Sequence, residues 1–207
     1  FQAITQPPWS ITNPYTITNL IRANGKIDDS HMKMFSIVLS SGSLANLIYL
    51  DLEKNQIGNE GMKAFSTAIA RGSLAKLAEL WLTSNQIGDA GVTALAGAIA
   101  SGSLAKLEEL YLGNNKIGDA GMIAFADAIT PTAENPMGSL GKLETLILSY
   151  NQIGDAGMIS LSEAIGKGSL ANLNVLGLSA NQIGDAGMAA FAEVLKPTDS
   201  NPMGSLA

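Results

Sequence analysis

Asn, an acidic residue and two glycines recur within eight residues at five places in this chain. The stretches are NQIGNEGM (55–62), NQIGDAGV (85–92), NKIGDAGM (115–122) and NQIGDAGM at both 151–158 and 181–188. Such residues can hold a divalent cation through oxygen ligands or cradle a phosphate on backbone N–H groups. The spacing fits neither chemistry. A calcium loop gathers several oxygen ligands within about 12 residues, whereas each octet offers one carboxylate. No GxxxxGK[ST] or GxGxxG stretch is present to hold a phosphate. The octets are read as turns, with no metal, cofactor or catalytic group in them.

Other routes to catalysis are as poorly supplied. The chain has no Cys and a single histidine, His31, so a Ser-His-Asp triad would have to be built on that one residue. No nucleophile motif lies near it, and His31 is read as a solvated or capping residue. Glu108 and Glu109 are adjacent on an expected strand, where successive side chains point to opposite faces, so they are not a facing acid/base pair. The chain is therefore expected not to be an enzyme.

Composition narrows the class further. The 207 residues include 46% hydrophobic and 14% charged side chains, which suits one globular domain with a sizeable core. Net charge is −6, from 12 basic and 18 acidic residues. That balance argues against nucleic acid, which needs a cationic footprint, and against a polybasic membrane anchor. No apolar run approaches the roughly 20 residues of a membrane-spanning helix. An intracellular soluble protein is favoured. Residue 1 is Phe rather than Met, so the natural start is expected to be absent, and an organelle or secreted location stays open.

The elements that carry the octets repeat too. Units begin at Leu44, Leu74, Leu104, Leu140 and Leu170, spaced 30, 30, 36 and 30 residues apart. Each reads LxxLxxLxLxxNxIGxxG, then a second apolar run ending in Ile or Leu. In Leu77–Leu82 the leucines at 80 and 82 have the period of a strand with one buried face. Val92, Leu95 and Ile99, and then Met122, Phe125 and Ile129, have the period of one helix face. Asp89, Asp119, Asp155 and Asp185 stand just before the helical runs, where each is expected to cap the helix it precedes. Gly72, Gly102 and Gly168 follow the runs, as left-handed terminators do.

One strand and one helix cannot bury their own apolar faces, but stacked copies can. Strands sit about 4.8 Å apart and packed helices about 8–10 Å, so the stack must curve with the strands inside. The expected fold is α/β: a horseshoe solenoid with a parallel sheet on the concave side and helices on the convex side. Residues 1–16 are a non-repeat lead-in, and 17–43 are a degenerate repeat or an N-terminal cap. Within that stretch Ile27, Met32, Phe35 and Leu39 align with Ile57, Met62, Phe65 and Ile69, while Gly25 replaces the Asn. Five units follow at 44–73, 74–103, 104–139, 140–169 and 170–205, with the start of another at 206–207. No polar cap is visible after the last unit, so the natural protein is expected to continue or a partner to cover that end.

The pattern LxxLxLxxNxIGDxG in units of about 30 residues resembles the ribonuclease-inhibitor-like class of leucine-rich repeats, over residues 44–195. The resemblance implies that Asn55, Asn85, Asn115, Asn151 and Asn181 form an inward ladder bonded to backbone groups of adjacent coils. It also implies sensor and GTPase-activating roles, both known in this repeat class, although no nucleotide-binding or effector domain is present here.

Function is sought where the units differ. Between the leucines, one column reads Tyr49, Glu79, Glu109, Thr145, Val175 and the next reads Asp51, Trp81, Tyr111, Ile147, Gly177. Trp81 and Tyr111, flanked by Tyr49, Asp51, Glu53, Glu79 and Glu109, are expected to be an exposed aromatic patch with an acidic rim. Ile147, Tyr150 and Val175 make the C-terminal half more apolar. The expected function is protein–protein interaction, with a partner of basic surface on this concave face. The alternative is a structural subunit or arm of a large complex, hinted at by Ile123 and Ile159 on the helix side. The related insertions at 131–139 and 197–205 are read first as loop expansions copied by duplication, and second as a lip beside the concave face.

Overall fold

The computed structural model describes residues 17–133, 135 and 138–196. Strand and helix alternate six times over them: β1 (Asn19–Ile21), α1 (Asp29–Ser40), β2 (Tyr49–Asp51), α2 (Asn59–Ile69), β3 (Glu79–Trp81), α3 (Asp89–Ala100), β4 (Glu109–Tyr111), α4 (Asp119–Ile129), β5 (Thr145–Ile147), α5 (Asp155–Gly166), β6 (Val175–Gly177) and α6 (Asp185–Val194). All six strands form one parallel sheet in chain order. Residues 17–43 thus contribute a strand and a helix of the same plan, with Leu20 paired to Leu50 and with Met32, Phe35 and Leu39 buried. The lead-in at 1–16, the second insertion at 197–205 and the further unit at 206–207 lie outside the described residues.

The strands are shorter than the run 77–82 suggested, for a local reason. Leu77 donates its N–H to the Leu74 carbonyl in a turn, so pairing starts only after it. Within each coil the leucines and the Ile of the octet all point one way. Leu74, Leu77, Leu80, Leu82 and Ile87 are fully buried, and Val92, Leu95 and Ile99 meet them from the helix. Each such side chain contributes about 1.5–3 kcal/mol through burial. Phe35 and Phe65 stack with centroids 6.2 Å apart, linking the first two helices.

Two hydrogen-bonded ladders join coil to coil. In the first, the Asn115 side-chain carbonyl accepts from the Ile87 N–H at 3.0 Å. Its amide donates to Leu82 of the preceding coil and to Leu112 and Gly113 of its own. Asn55, Asn85, Asn151 and Asn181 repeat this arrangement. Asn55, Asn85, Asn115 and Asn151 therefore have both donor and acceptor groups satisfied away from water, as a buried amide requires, while Asn181 in the last coil is half-buried.

The second ladder corrects an expectation. Asp89 does not cap α3, whose N-cap is Gly88 with no side-chain bond. The Asp89 carboxylate reaches the next coil and accepts from Gly118 N–H at 2.6 Å and Gly121 N–H at 3.1 Å, at the start of α4. Asp119 does the same for α5, Asp155 for α6, and Asn59 for α3. Asp185, the last of the series, bonds no N–H group among the described residues. The cause is geometric: the first helical residue of one coil lies beside the helix N-terminus of the following coil. In the first coil Asp28 caps its own helix, with His31 Nδ1 2.7 Å from its carboxylate in a capping box. Hydrogen bonds from Ser30 and then the His31 N–H hold the Asp28 carboxyl well below the usual range.

Close approach at this ladder demands glycine. A Cβ on Gly121 would lie 2.8 Å from an Asp89 carboxylate oxygen and 3.1 Å from the Asp89 backbone. Gly97, in the middle of α3, would meet nothing within 4 Å. The last coil is the least enclosed. Gly187 is the one buried residue of α6, and Leu176, Leu178, Ile183, Phe191 and Val194 are only partly buried against the core.

Two stability predictions follow from these contacts and are read by urea unfolding. Asn115→Ala strands the buried Ile87 N–H and should cost about 3 kcal/mol, whereas Gln86→Ala, at an exposed position, should stay within about 0.5 kcal/mol. Gly121→Ala should destabilise despite its better helix propensity. Gly97→Ala should stabilise by about 0.5–1 kcal/mol.

Candidate functional site

The sheet register places the varying residues as two rows across the strands. Tyr49, Glu79, Glu109, Thr145 and Val175 are successive partners in one row, and Asp51, Trp81, Tyr111, Ile147 and Gly177 in the other. Leucines between the rows point into the core, so both rows face away from the helices, on the concave side. The described face runs from a carboxylate- and aromatic-rich half on β2–β4 to a half without formal charge in these rows on β5–β6.

The aromatic residues are organised more tightly than an exposed patch. Trp81 lies between Tyr49, edge-on at 5.5 Å between centroids, and Tyr111, tilted at 4.8 Å. Packing of this kind contributes about 0.5–1.5 kcal/mol per pair beyond burial. The three rings are consequently half-buried rather than exposed. The Trp81 indole N–H lies near enough to Glu79 to favour its charged form, yet it makes no hydrogen bond of ordinary length and angle. A donor is thus left over within the aromatic row.

The carboxylates divide into two kinds. Asp51 is not on a rim, as its sequence position suggested: it is 7% exposed and accepts from the Glu53 N–H at 2.9 Å and the Tyr49 hydroxyl at 3.4 Å. Its role is to hold the turn after β2. Glu79 and Glu109 stand half-buried side by side, and Tyr111 donates its hydroxyl to Glu109 at 2.9 Å. Burial first, and then the charges of Glu109 and Glu108, push the Glu79 carboxyl above its usual value. Lys54 pairs with Glu53 on this face, at 2.8 Å. Among the described residues no cation pairs with Glu79 or Glu109.

The uncharged half includes one residue from outside the strand rows. Tyr150 is not in a strand row. It occupies the turn just before the ladder Asn, a position that takes positive φ in every coil: Lys54, Ser84, Asn114, Tyr150 and Ala180. A bulky side chain is uncommon there and costs on the order of 1 kcal/mol, yet the Tyr150 ring is 65% exposed at the edge of the face. Ile147 is half-buried and Val175 is 48% exposed. Gly113, in the next row, is buried, so the floor beside Ile147 is bare backbone. The hydroxyls of Thr145, Ser149 and Ser179 border this floor and make no hydrogen bond to the described residues. Sequence reasoning passed over them because Ser and Thr at exposed positions are ordinary.

On the helix side Ile123 is 38% exposed, whereas Ile159 is half-buried, contrary to its reading as an exposed residue. Among the described residues no cluster of three or more metal-ligating side chains occurs. No helix of the described residues is long and apolar enough to cross a membrane. Of the two insertions, the described part of 131–139 folds back on α4, with the Gly138 backbone against the Ile129 carbonyl.

The tyrosines supply a direct check of this geometry. Burial first, with Asp51 and Glu79 next, pushes the Tyr49 phenol up to about 12. Burial and the Glu109 bond push Tyr111 to about 12. Unfolded phenols ionise near 10, so the folded state retains those protons longer. The stability from these groups is present below about pH 10 and lost as pH rises toward about 12. A fall in unfolding free energy over that window is expected, and it should flatten in Tyr49→Phe/Tyr111→Phe.

Comparison with known proteins places this geometry. A family model described as Leucine Rich repeat matches residues 43–66, 73–96, 103–126, 142–162 and 169–192, together more than half of the chain. No curated protein matches the sequence. A solved structure titled leiomodin-1 actin-binding site 2 (ABS2) is similar with a TM-score of 0.52 at 16% identity, covering 87% of this chain and 82% of that one. At that identity the likeness shows the fold alone.

Proposed function

Because this chain belongs to the leucine-rich repeat family, whose domains are generally protein-interaction modules and usually non-enzymatic, we propose that it binds another protein on its concave strand face and that the partner presents a basic surface there. The observation that carries this reading is the half-buried Tyr49–Trp81–Tyr111 row beside Glu79 and Glu109. Those two carboxylates are partly desolvated, repel one another and have no cationic partner among the described residues. A lysine or arginine docked between them relieves that repulsion, and the aromatic rings supply the apolar area that dominates interface hot spots. The net charge of −6 adds long-range steering of a basic partner.

A second reading has its own support. Ile37 of α1 is 72% exposed and Met34 51% exposed, and Ile123 lies on the same helical side of the solenoid. These residues favour contact through the helices, as in a fixed arm of a larger assembly. Light scattering on the purified chain separates the two: a monomer supports the module, and concentration-dependent association supports the arm.

The strand-face reading is tested with a protein retained from source extract by the immobilised chain. Trp81→Ala/Tyr111→Ala should bind it at least tenfold more weakly, with the circular dichroism of the fold unchanged. Binding should also weaken as salt is raised from 50 to about 300 mM. Undiminished binding by the double variant would contradict the proposal.

A further inference from the structure

The two halves of the concave face differ in chemistry along the solenoid axis, and that order constrains the shape of what binds. The inference rests on the strand-face reading above. On β3 and β4 the rows present Glu79, Trp81, Glu109 and Tyr111. On β5 and β6 they present Thr145, Ile147, Val175 and Gly177, without a formal charge, with the Tyr150 ring at the edge. A single segment touching both halves has to run across the strands.

We propose that the occupant is an extended peptide segment of a partner protein with a Lys or Arg and an aliphatic residue three positions apart. The basic side chain lies between Glu79 and Glu109 against the rim of the Trp81–Tyr111 pair. The aliphatic one rests on Ile147 and Val175, over the bare backbone at Gly177. The spacing follows from the sheet. From midway between β3 and β4 to midway between β5 and β6 is two strand spacings, about 10 Å. An extended chain in the polyproline II form covers that distance in about three residues at about 3.1 Å each and completes one turn, which brings both side chains to the same face, whereas a helix would need about seven residues at about 1.5 Å each.

The hydroxyls decide between those two occupants. Thr145, Ser149 and Ser179 border the uncharged half, with Ser149 and Ser179 one row beyond Ile147 and Gly177. None of the three makes a hydrogen bond to the described residues. An extended segment brings backbone N–H and C=O groups that require partners, and these hydroxyls can supply them. A helix has already satisfied its own backbone groups and would leave them idle. Charge complementarity places the basic residue toward β3 and the aliphatic one toward β6, in either chain direction.

The test is selection of a displayed random decapeptide library on the immobilised chain. Enrichment of a Lys or Arg three positions from a Leu, Ile or Val, in either order, is the expected result. The selected peptides, made synthetically, should lose about tenfold in preference for Arg over Gln on Glu79→Gln/Glu109→Gln. They should lose the preference for the aliphatic residue on Val175→Lys. Enrichment of a seven-residue spacing, of basic residues with no aliphatic partner, or of no pattern at all would overturn the inference. Trp81→Ala/Tyr111→Ala separates the levels. Selected peptides of another pattern that depend on Trp81 and Tyr111 leave the strand face as the binding site and remove only the proposed motif. Peptides that bind this variant undiminished remove the strand-face reading itself.

Discussion

A buried side-chain amide that bonds the coil before it is the constraint on which the rest of this structure depends. A single strand-helix unit here has a three-residue strand and a helix of 10–12 residues, too little to bury its own leucines. The coil survives only in a stack, and the stack needs a device that sets register where hydrophobic contact alone would allow slippage. Asn85, Asn115 and Asn151 provide it: each bonds two backbone groups of the preceding coil and at least one of its own. A shift of one residue would strand all of them in a dry interior.

The carboxylate ladder adds the same discipline on the helix side. Asp89 belongs to one coil by sequence and to the next by bonding, since its oxygen closes the first N–H groups of α4. The glycines of the octet exist for that contact, because a Cβ on Gly121 would collide with the Asp89 backbone and carboxylate. His31 stands where later coils have such a glycine. There the helix is capped by Asp28 from its own coil, and no carboxylate of an earlier described coil needs the space. Near-identity of the octets therefore reports a shared mechanical task, and it leaves the strand rows free to vary.

Much of this was legible in the sequence, because it depends on period. The leucine spacing set the strand register, so that Tyr49, Glu79 and Glu109 could be placed as neighbours before any coordinates. What period cannot show is how a side chain turns at the end of its backbone. Asp51 was placed on the rim and instead folds under to the Glu53 N–H. Trp81 and Tyr111 were placed as exposed and instead cover one another. Asp89 was given to its own helix because the offset between adjacent coils is a three-dimensional quantity with no trace along the chain. Tyr150 carried a signal that could have been used: a bulky residue at the position before the ladder Asn, where the turn requires positive φ.

The most direct measurement follows the fluorescence of Trp81 with Trp9 replaced by Phe, so that one indole reports. The account predicts that adding a protein retained by the immobilised chain shifts the Trp81 emission to shorter wavelength and protects it from acrylamide quenching. Saturable binding with emission and quenching both unchanged would contradict it, and would move the interaction to the helical side of the solenoid.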